Sequence, residues 1–536
     1  MPEHKYTKAD LIQRLEKVLG ATFGEVDNNG FFERIRAYPL QKGVAGSLIE
    51  QCVLGYEPDS KQEPDLLVAD GSKEIRMELK TTGMVIDSSP TEHYVAKEPM
   101  TITAVGIYDI ANQVFETSHF WQKLEHMLIV YYHYLPDCPV KAYDYHSFPI
   151  RGYEFHEFGE LEIEALRQDW ENVRTLAEDI VSNHEGVRDR KWKEAVKQEY
   201  IERHGTLRKV LNYIDLAPKF PPRFRLKKSV VSSIIAQYFG YELEQLPGRY
   251  ATVSDIDKKC HELTAKYCGM TIGQLAADFG LSVVEDDGLD RKGIAEKIII
   301  AMFGGTSTKL NQIELFRRFG IIAKSIVITA KGGRTEDMKL FHLNFEELVR
   351  TEVEEENGEV RPFTFEDSEI YSYFANHELL CIMFQEPGVQ SVKVGNEILQ
   401  FRPNSLSANK FIGFKRLVFS DEFINGAVRR LWDDLRDKVL NNHLADVIQY
   451  DRDGKPKRNK SGDISSAPDF MKAKDNEVFM RGGGRDSALI HKTECVNGIR
   501  MLPQYVWLKG AVVVEELKKS SYNEDILTQK ADGGVS

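Results

Sequence analysis

The sequence has no long apolar run and few cysteines. Its most apolar stretches, residues 127–134 and 298–303, are much shorter than the roughly 20 residues needed to cross a bilayer. The amino-terminal residues are polar and charged, without the apolar core of a signal peptide. The 6 cysteines are scattered and form no Cys-x-x-Cys pair, which excludes a zinc ribbon and argues against a disulfide scaffold. We therefore expect a cytoplasmic protein with no membrane partner.

The chain also lacks an excess of positive charge. Its 536 residues carry 70 Lys and Arg against 83 Asp and Glu, a formal net charge of −13. Such a balance disfavours a protein that coats nucleic acid over its whole surface, but it allows a local basic cleft. Basic residues are dense between residues 188 and 228. A chain of this length exceeds a single hydrophobic core, so we expect at least two domains.

Four short words of the first half recur in the same order in the second half. Gly-Ala-Thr-Phe-Gly at 20–24 recurs as Gly-Met-Thr-Ile-Gly at 269–273, and Lys-Gly-Val-Ala at 42–45 recurs as Lys-Gly-Ile-Ala at 292–295. Weaker echoes follow around Trp170 and Trp432, and between residues 222–227 and 504–509. Each match is poor, and unrelated domains with coincidental words are the alternative. The shared order favours two similar folds in tandem.

The predicted domains follow from this repeat. A Pro-Gly turn signal at 247–248 lies near the boundary, so we expect an amino-terminal domain over 1–242 and a carboxy-terminal domain over 243–519. Residues 520–536 are polar and end in glycines and serine, and we expect them to form a flexible tail.

Residues 42–80 carry the pattern that points to chemistry. A helix with an apolar stripe is predicted from Gly43 to Leu54, with Glu50 beside the stripe. Two alternating runs follow, separated by Asp70-Gly71, the strongest short signal for a hairpin. If those two residues form the turn, Asp65 faces Arg76, and Asp65 lies diagonally from Glu78 on the same face, with Cβ atoms roughly 7–8 Å apart.

Two carboxylates at that separation suit one divalent cation. Oxygen ligands without His or Cys favour Mg²⁺, held by Asp65 and Glu78. The cation would polarise a phosphate and activate a water, Lys80 would orient that water or stabilise charge on phosphate, and Glu50 would act as an outer ligand. The alternative is a solvated cross-strand Glu-x-Lys pair, which is commoner on exposed strands. The added Pro-Asp gives the signature of the PD-(D/E)xK nucleases.

These words together resemble a known family. Gly20-x-Thr22-x-Gly24, then Lys42-Gly43 with Glu50, then Pro64-Asp65 with Glu78-Leu79-Lys80 are similar to the mismatch-repair nickase MutH. The doubled length resembles the related bacterial Sau-type GATC-cutting type II restriction endonucleases. The resemblance implies an α/β fold of tandem MutH-like PD-(D/E)xK domains, each a mixed β-sheet flanked by helices. It also implies Mg²⁺-dependent cleavage of double-stranded DNA and a further active-site lysine at Lys123.

The family's basic DNA-reading motif is not evident between Trp170 and Leu226. Arg208 and Lys227 are the first-half residues we assign to DNA contact. In the second half Arg481-Gly-Gly-Gly-Arg485 and Lys509 resemble the family's DNA-contacting segment, and the glycines would allow close approach to a duplex. The alternative for that glycine run is a surface loop.

The second half has lost the acidic residues. Aligned on Lys324, Ile322 stands where Glu78 stands, and Ile300 replaces Glu50. Apolar side chains cannot hold a hard cation, so we expect a catalytically inactive half that binds DNA, either for regulation or to hold a second target.

Three functional interpretations of the sequence therefore remain. The first is a restriction endonuclease with a cognate DNA methyltransferase, which dimerises on DNA because one site cuts one strand. The second is a MutH-like nickase of mismatch repair, and the third is a non-catalytic DNA-binding regulator.

Overall fold

The structure of the protein is a computed structural model. It describes residues 4–37, 43–57, 63–87, 93–135, 142–184, 186–217, 220–284, 293–333, 336–354, 360–394, 397–401, 406–459, 461–484 and 486–519. The contacts divide the chain into two compact units. The first unit comprises residues 1–256, 311–320 and 352–362, and the second comprises residues 257–310, 321–351 and 363–536. No helix of the described residues is long and apolar enough to span a membrane.

The strands are numbered in chain order: β1 (Lys5–Thr7), β2 (Leu66–Asp70), β3 (Lys73–Ile86), β4 (Tyr94–Ala96), β5 (Met100–Ala104), β6 (Met127–His133), β7 (Ile150–His156), β8 (Ile214–Leu216), β9 (Arg223–Leu226), β10 (Ile321–Ile328), β11 (Met338–His342), β12 (Glu352–Glu354), β13 (Val360–Pro362), β14 (Glu378–Gln385), β15 (Gln390–Val394), β16 (Glu397–Phe401), β17 (Lys410–Leu417), β18 (Asp446–Ile448), β19 (Ser466–Pro468), β20 (Val478–Gly482), β21 (Glu494–Val496), β22 (Ile499–Met501) and β23 (Gln504–Leu508).

The α-helices are α1 (Lys8–Glu16), α2 (Phe23–Val26), α3 (Phe31–Ala37), α4 (Val44–Leu48), α5 (His119–Gln122), α6 (Glu160–Asn183), α7 (Arg190–Arg203), α8 (Lys228–Tyr238), α9 (Val253–Tyr267), α10 (Ile272–Asp278), α11 (Ile294–Met302), α12 (Glu314–Arg318), α13 (Glu369–Asn376), α14 (Asp421–Phe423), α15 (Arg429–Leu440) and α16 (Gly510–Lys519).

The first unit is built on a mixed sheet in the order β1-β2-β3-β6-β7, with β4 paired to β3. β1 is parallel to β2 and β3 is parallel to β6, whereas β2 is antiparallel to β3 and β6 is antiparallel to β7. Every side chain of β6 from Met127 to Tyr132 is buried, as expected of a central strand covered on both faces. A second, antiparallel sheet has the order β5-β9-β8. The predicted α/β class with a mixed sheet flanked by helices is confirmed for this unit.

The second unit contains two three-stranded sheets. In the first, β10 is parallel to β14 and β14 is antiparallel to β17. In the second, β23 lies between β11 and β20 and is antiparallel to both. The strand β14 is buried from Glu378 to Phe384, so it too occupies the centre of its sheet.

The recurring words of the sequence form the same local structures in both units. Thr22 caps α2, and Thr271 caps α10; each accepts a hydrogen bond from a residue three positions later whose side chain bonds back, a capping box. Gly43 and Gly293 precede α4 and α11 with φ of 82° and 77°, a left-handed conformation that explains the glycine in both words.

Candidate active site

The hairpin of β2 and β3 forms as predicted, but its register differs by two residues. Asp70 pairs with Lys73 and Leu66 pairs with Met77, so the turn residues are Gly71 and Ser72 rather than Asp70 and Gly71. Gly71 has φ of 63°, and glycine at the first turn position suits a type II′ turn. The expected facing of Asp65 and Arg76 is therefore wrong. A two-residue shift preserves which face each side chain occupies, and it moves Asp65 from the diagonal toward the position opposite Glu78.

Glu78 is buried and bound by two lysines. Its side chain is 3% exposed, and its Oε1 accepts from Lys80 Nζ and Lys123 Nζ, each at 2.9 Å. Lys123 also donates to Oε2 at 3.1 Å. Lys123 follows the short helix α5, whose first turn is capped by Ser118, and β6 begins four residues later. The structure thus brings Lys123 to Glu78 from 45 residues away in sequence, a contact that supports its predicted place in the site.

Asp65 lies just before β2 and faces the same cluster. Its Oδ2 accepts from the backbone N–H of Leu79 at 2.9 Å, which fixes the carboxylate beside Glu78. Burial and the negative charge of Glu78 raise the pKa of Asp65 to about 6, against the opposing effects of the Leu79 N–H and the two lysines. The site therefore concentrates two carboxylates and two ammonium groups in a largely buried space.

Glu50 lies on a π-helical turn, Ile49–Leu54, that continues α4. Its carbonyl oxygen accepts from Gly55 N at 2.7 Å and Tyr56 N at 3.0 Å, the wide spacing of a π-turn. The hydroxyl of Tyr56 is 3.5 Å from Glu50 Oε1. Burial raises the pKa of Tyr56, and the charges of Glu50, Asp65 and Glu78 raise it further. The charges of three acids therefore act on one phenol, a residue that no sequence motif marks.

The donor set fits a hard cation that completes its shell with water and phosphate. Among the described residues no group of three or more His, Cys, Asp or Glu is close enough to enclose a metal ion. Mg²⁺ commonly binds one or two carboxylates and keeps water or substrate phosphate as its other ligands. Asp65 and Glu78 supply such a pair, and both burial and the charge of Glu78 raise the pKa of Asp65.

In the second unit β10, the strand that corresponds to β3, carries no acid. The position of a bulge in the central strand allows the two units to be aligned. Lys80 pairs with Ile129, two residues before the bulge at Tyr131. Lys324 pairs with Cys381, two residues before the bulge at Met383. By this register Ile322 takes the place of Glu78, in agreement with the alignment expected from sequence. Lys324 instead donates to the Lys339 carbonyl at 3.0 Å.

Two predicted DNA contacts of the first unit lie in different environments. Lys227 is 7% exposed, and its Nζ donates to the carbonyl of Leu211 at 2.6 Å. A buried lysine that is bonded to the backbone is not available to a duplex, so the assignment of Lys227 to DNA contact is not supported by its position. Arg208 is half-buried in the 3₁₀ segment His204–Lys209, and its DNA contact stays a prediction.

The predicted DNA contacts of the second unit are only partly described. Arg481 is exposed at the end of β20, where it pairs with Asp337 at 2.6 Å and lies over the ring of Trp507. Lys509 is half-buried directly after β23. Arg485 lies outside the described residues. The glycines have an internal reason as well: a Cβ on Gly483 would be 2.3 Å from the ring of Tyr505, and one on Gly482 would be 3.0 Å from Leu502. Their close approach to a duplex stays a prediction.

A buried carboxylate that the sequence analysis did not interpret supports the second sheet of the first unit. Asp169 on α6 is fully buried and accepts N–H groups of Asn212, Tyr213 and Ile214, at 2.6–3.0 Å, besides the Asn212 amide at 2.7 Å. Burial raises the pKa of Asp169 to about 6, although these donors and Lys227 act in the opposite direction. Lys227 therefore contributes a positive charge near this buried acid.

The chain is similar to a known protein family and to a known enzyme. Residues 54–169 match the family model of the DNA mismatch repair enzyme MutH. The chain is also 23% identical over 527 residues to the type II restriction enzyme Sau3AI of Staphylococcus aureus, covering 92% of this chain and 93% of that enzyme. The first match includes Asp65, Glu78, Lys80 and Lys123, and the second spans both units.

Proposed function

We propose that this chain, a relative of MutH and of the Sau-type restriction endonucleases, is a type II restriction endonuclease that cuts double-stranded DNA at a short site, GATC or a related sequence. The similarity to these proteins supports a DNA nuclease that resembles restriction endonucleases. The target sequence, the use of Mg²⁺ and the role of the second unit are the proposed parts.

One observation carries the proposal. Glu78 is buried, faces the Asp65 side of the hairpin, and holds Lys80 and Lys123 on a single carboxylate at 2.9 Å. A solvated surface pair has exposed partners that are worth little. A buried cluster of acids and lysines costs free energy unless it has a function or a compensating ligand, so the arrangement favours catalysis over the cross-strand alternative.

The residues divide the chemistry between them. Asp65 and Glu78 would hold Mg²⁺, with Glu50 as an outer partner through water. The cation, when bound, would polarise the scissile phosphate and lower the pKa of a bound water. Lys80 would orient that water or stabilise charge developing on the phosphate oxygens. Lys123 holds both oxygens of Glu78 and so sets the direction of its carboxylate.

The second unit is proposed to be a duplicated, non-cutting copy that binds DNA. The order and directions of β10-β14-β17 match those of β3-β6-β7, and β11-β23-β20 matches β5-β9-β8. Leu508 pairs with both Met338 and Val478, as Leu226 pairs with both Met100 and Ile214. Such detailed agreement supports duplication. The isoleucines Ile322 and Ile300 at the positions of Glu78 and Glu50 support the loss of cutting.

One cutting site per chain breaks one strand at a time. Cleavage of both strands then requires two chains on the DNA or two successive nicks, and we propose dimerisation on DNA. A restriction endonuclease also requires a cognate methyltransferase that protects the host DNA at the same site. That partner is functional and need not bind the chain.

The test is a cleavage assay with purified protein and plasmid DNA, in Mg²⁺ and in EDTA. Plasmid with and without adenine or cytosine methylation is compared. We expect linear product from unmethylated DNA in Mg²⁺, none in EDTA, and protection by one of the two methylations. If no unmethylated plasmid is cut, the restriction function is wrong.

The match of residues 54–169 to a mismatch repair enzyme gives the second candidate, a strand-nicking repair endonuclease. Nicked circles without linear product, and stimulation by repair proteins, would favour it. The extent of the likeness to a restriction enzyme, 92% of the chain, favours the first candidate.

A further inference from the structure

The second unit contains a cavity of about 630 Å³ beside β20. One wall is the hairpin of β18 and β19, which runs from Asp446 to Pro468, and another is formed by the ends of β20 and β23. The floor is apolar, and the rim is formed by amide, hydroxyl and charged side chains. The apolar floor residues are Phe479, Met480, Met501 and Leu502.

The cavity is basic although the chain is acidic overall. Of the described residues that line it, five are cationic and one, Asp486, is acidic. Arg481 is paired with Asp337, which lies outside the lining, so the positive excess rests on the other four cations. Asp486 is already engaged, because it accepts from the Ala488 N–H at 3.1 Å and contacts His491 at 2.7 Å. Against a net charge of −13, this excess of positive charge points to an anionic ligand. The cationic residues are Lys457, Arg458, Lys472, Lys474 and Arg481.

Two amide atoms of the lining residues have no hydrogen-bond partner among the described residues. Gln504 is 2% exposed, and its Oε1 is an unpaired acceptor; Nδ2 of Asn459 is an unpaired donor. Unpaired buried polar atoms are uncommon in proteins and cost free energy. A ligand with both hydrogen-bond donors and acceptors would satisfy both atoms after small side-chain rotations. A simple inorganic anion would not satisfy both.

We propose that this cavity is where the second unit holds DNA, with Lys457 and Lys474 on phosphates of one strand and Asn459 and Gln504 toward a base edge. Lysines bind phosphate as point charges, while amides pair with base edges. This inference rests on the proposed function, for which it names the site of the second DNA contact.

Two elements around the cavity, the β18–β19 hairpin and the long connection from β20 to β23, have no counterpart among the described residues of the first unit, which supports a separate role. In the first unit β8 and β9 are separated by residues 217–222, whereas in the second β20 and β23 are separated by residues 483–503. Helix α6 is followed by helix α7, but α15 is followed by the β18–β19 hairpin. That hairpin exposes Tyr450 and Val447, 60% and 49% accessible. Exposed apolar side chains beside cations are typical of surfaces that contact sugar and base as well as phosphate.

The experiment reverses charge inside the cavity and, as a control, outside it. The full-length Lys457→Glu/Lys474→Glu variant is compared with Arg452→Glu/Lys455→Glu, which makes the same change of charge at exposed hairpin residues that do not line the cavity. Binding of a fluorescent duplex is measured by anisotropy in EDTA over a range of salt concentrations, and its stoichiometry is determined by titration.

We expect the cavity variant to lose binding at the second unit. The wild type should bind two duplexes per chain, the cavity variant one, and its summed salt slope should fall by about 2, close to one for each phosphate contact removed. The control variant should keep two duplexes, with affinity within about threefold. If the cavity variant does not fold by circular dichroism, Lys457→Gln/Lys474→Gln replaces it, with the same stoichiometry expected.

Equal loss of binding by the cavity and control pairs would overturn the inference, since bulk charge would then explain it. So would two duplexes bound by the folded cavity variant. Both results leave the proposed function intact as long as the wild type cuts plasmid in Mg²⁺. A wild type that neither cuts nor binds DNA would instead refute the proposed function.

Discussion

The three central strands of the two units differ in side chains far more than in backbone. β3-β6-β7 and β10-β14-β17 share their order and directions. The antiparallel pair of each set also has a register shift at an equivalent place: it follows the pair Tyr131–Gly152 in the first unit and the pair Met383–Gly413 in the second. Counting back from that bulge, Glu78 and Ile322 occupy one position, and Lys80 and Lys324 another. The backbone frame thus persists where the acid does not.

The difference shows how few groups separate a charged site from an apolar strand. In the first unit Glu78 collects two lysines, and Asp65 joins it through the Leu79 N–H. In the second unit β10 pairs only with β14 among the described strands, so no hairpin strand brings an acid beside it. Lys324 remains but turns to a backbone carbonyl. A single lysine without acids has nothing to act on.

The largest expected effect is on cleavage. Glu78→Ala should reduce the cleavage rate by about 10³-fold or more while DNA binding is kept, because a metal ligand is lost but the basic surface is not. Lys324→Ala should leave the rate within about twofold. Plasmid cleavage and duplex binding are measured for both. Equal loss of cutting by the two variants would show that the second site is active and that the comparison of the units is mistaken.

Lys123 has no counterpart in the second unit. It directly follows α5, whereas His377 directly follows α13. Lys123→Ala should lower kcat by about 10²-fold with KM for DNA nearly unchanged, because the side chain orients Glu78 rather than binding the duplex. Lys73→Ala, an exposed lysine of the same sheet, is the control and should change neither. A rise in KM alone would reassign Lys123 to DNA binding.

Each unit has a buried asparagine near a strand, and the acid that binds the first of them can be tested by its effect on the free energy of unfolding. Asn212 and Asn476 each lie two residues before a strand, β8 and β20, but the first is held by Asp169 and the second by Arg430. Asp169→Asn replaces an acceptor by a donor beside two N–H groups, and it should lower the free energy of unfolding by about 2–4 kcal/mol. Asp179→Asn on the same helix removes a surface ion pair with Arg203 and should cost under about 1 kcal/mol. Urea unfolding measures both, and equal effects would mean that the Asp169 contacts contribute little.

Parts of this picture follow from sequence, and parts do not. The Asp-Gly signal predicted the hairpin, and alternation placed Asp65 and Glu78 on one face. It did not fix the register, because Asp70-Gly71 and Gly71-Ser72 both make two-residue turns and both preserve the face. Lys123 came from resemblance alone, since no local pattern links residues 45 apart.

Burial was the main source of error in assigning basic residues. Lys227 follows a strand with alternating basic residues and has the pattern of a surface cation, but the end of that strand is covered and Lys227 lies behind Asp169. The cavity of the second unit was also unpredictable, because its lining residues are spread from 449 to 504 and meet only through folding; of these, only Arg481 and Gly482 belong to a motif noted in the sequence.

The smallest effect concerns the electrostatics of paired acids. The first unit brings Asp65 and Glu78 together beside two lysines, whereas in the second unit Asp257 and Glu378 share Arg416. The folded-state pKa of Asp65, about 6, is above its usual 3.8, so the stability contributed by its protonated form is lost as pH rises from about 4 through 6. In EDTA, Asp65→Asn should therefore gain stability relative to wild type between pH 4 and pH 7.5, by on the order of 1 kcal/mol. Asp70→Asn, which removes an exposed pair with Lys8, should show no such gain. Urea unfolding of the full chain at both pH values measures the difference. A pH-independent gap for Asp65→Asn would mean that the Leu79 N–H and the two lysines outweigh burial and the charge of Glu78, and that the paired acids need no cation to be tolerated.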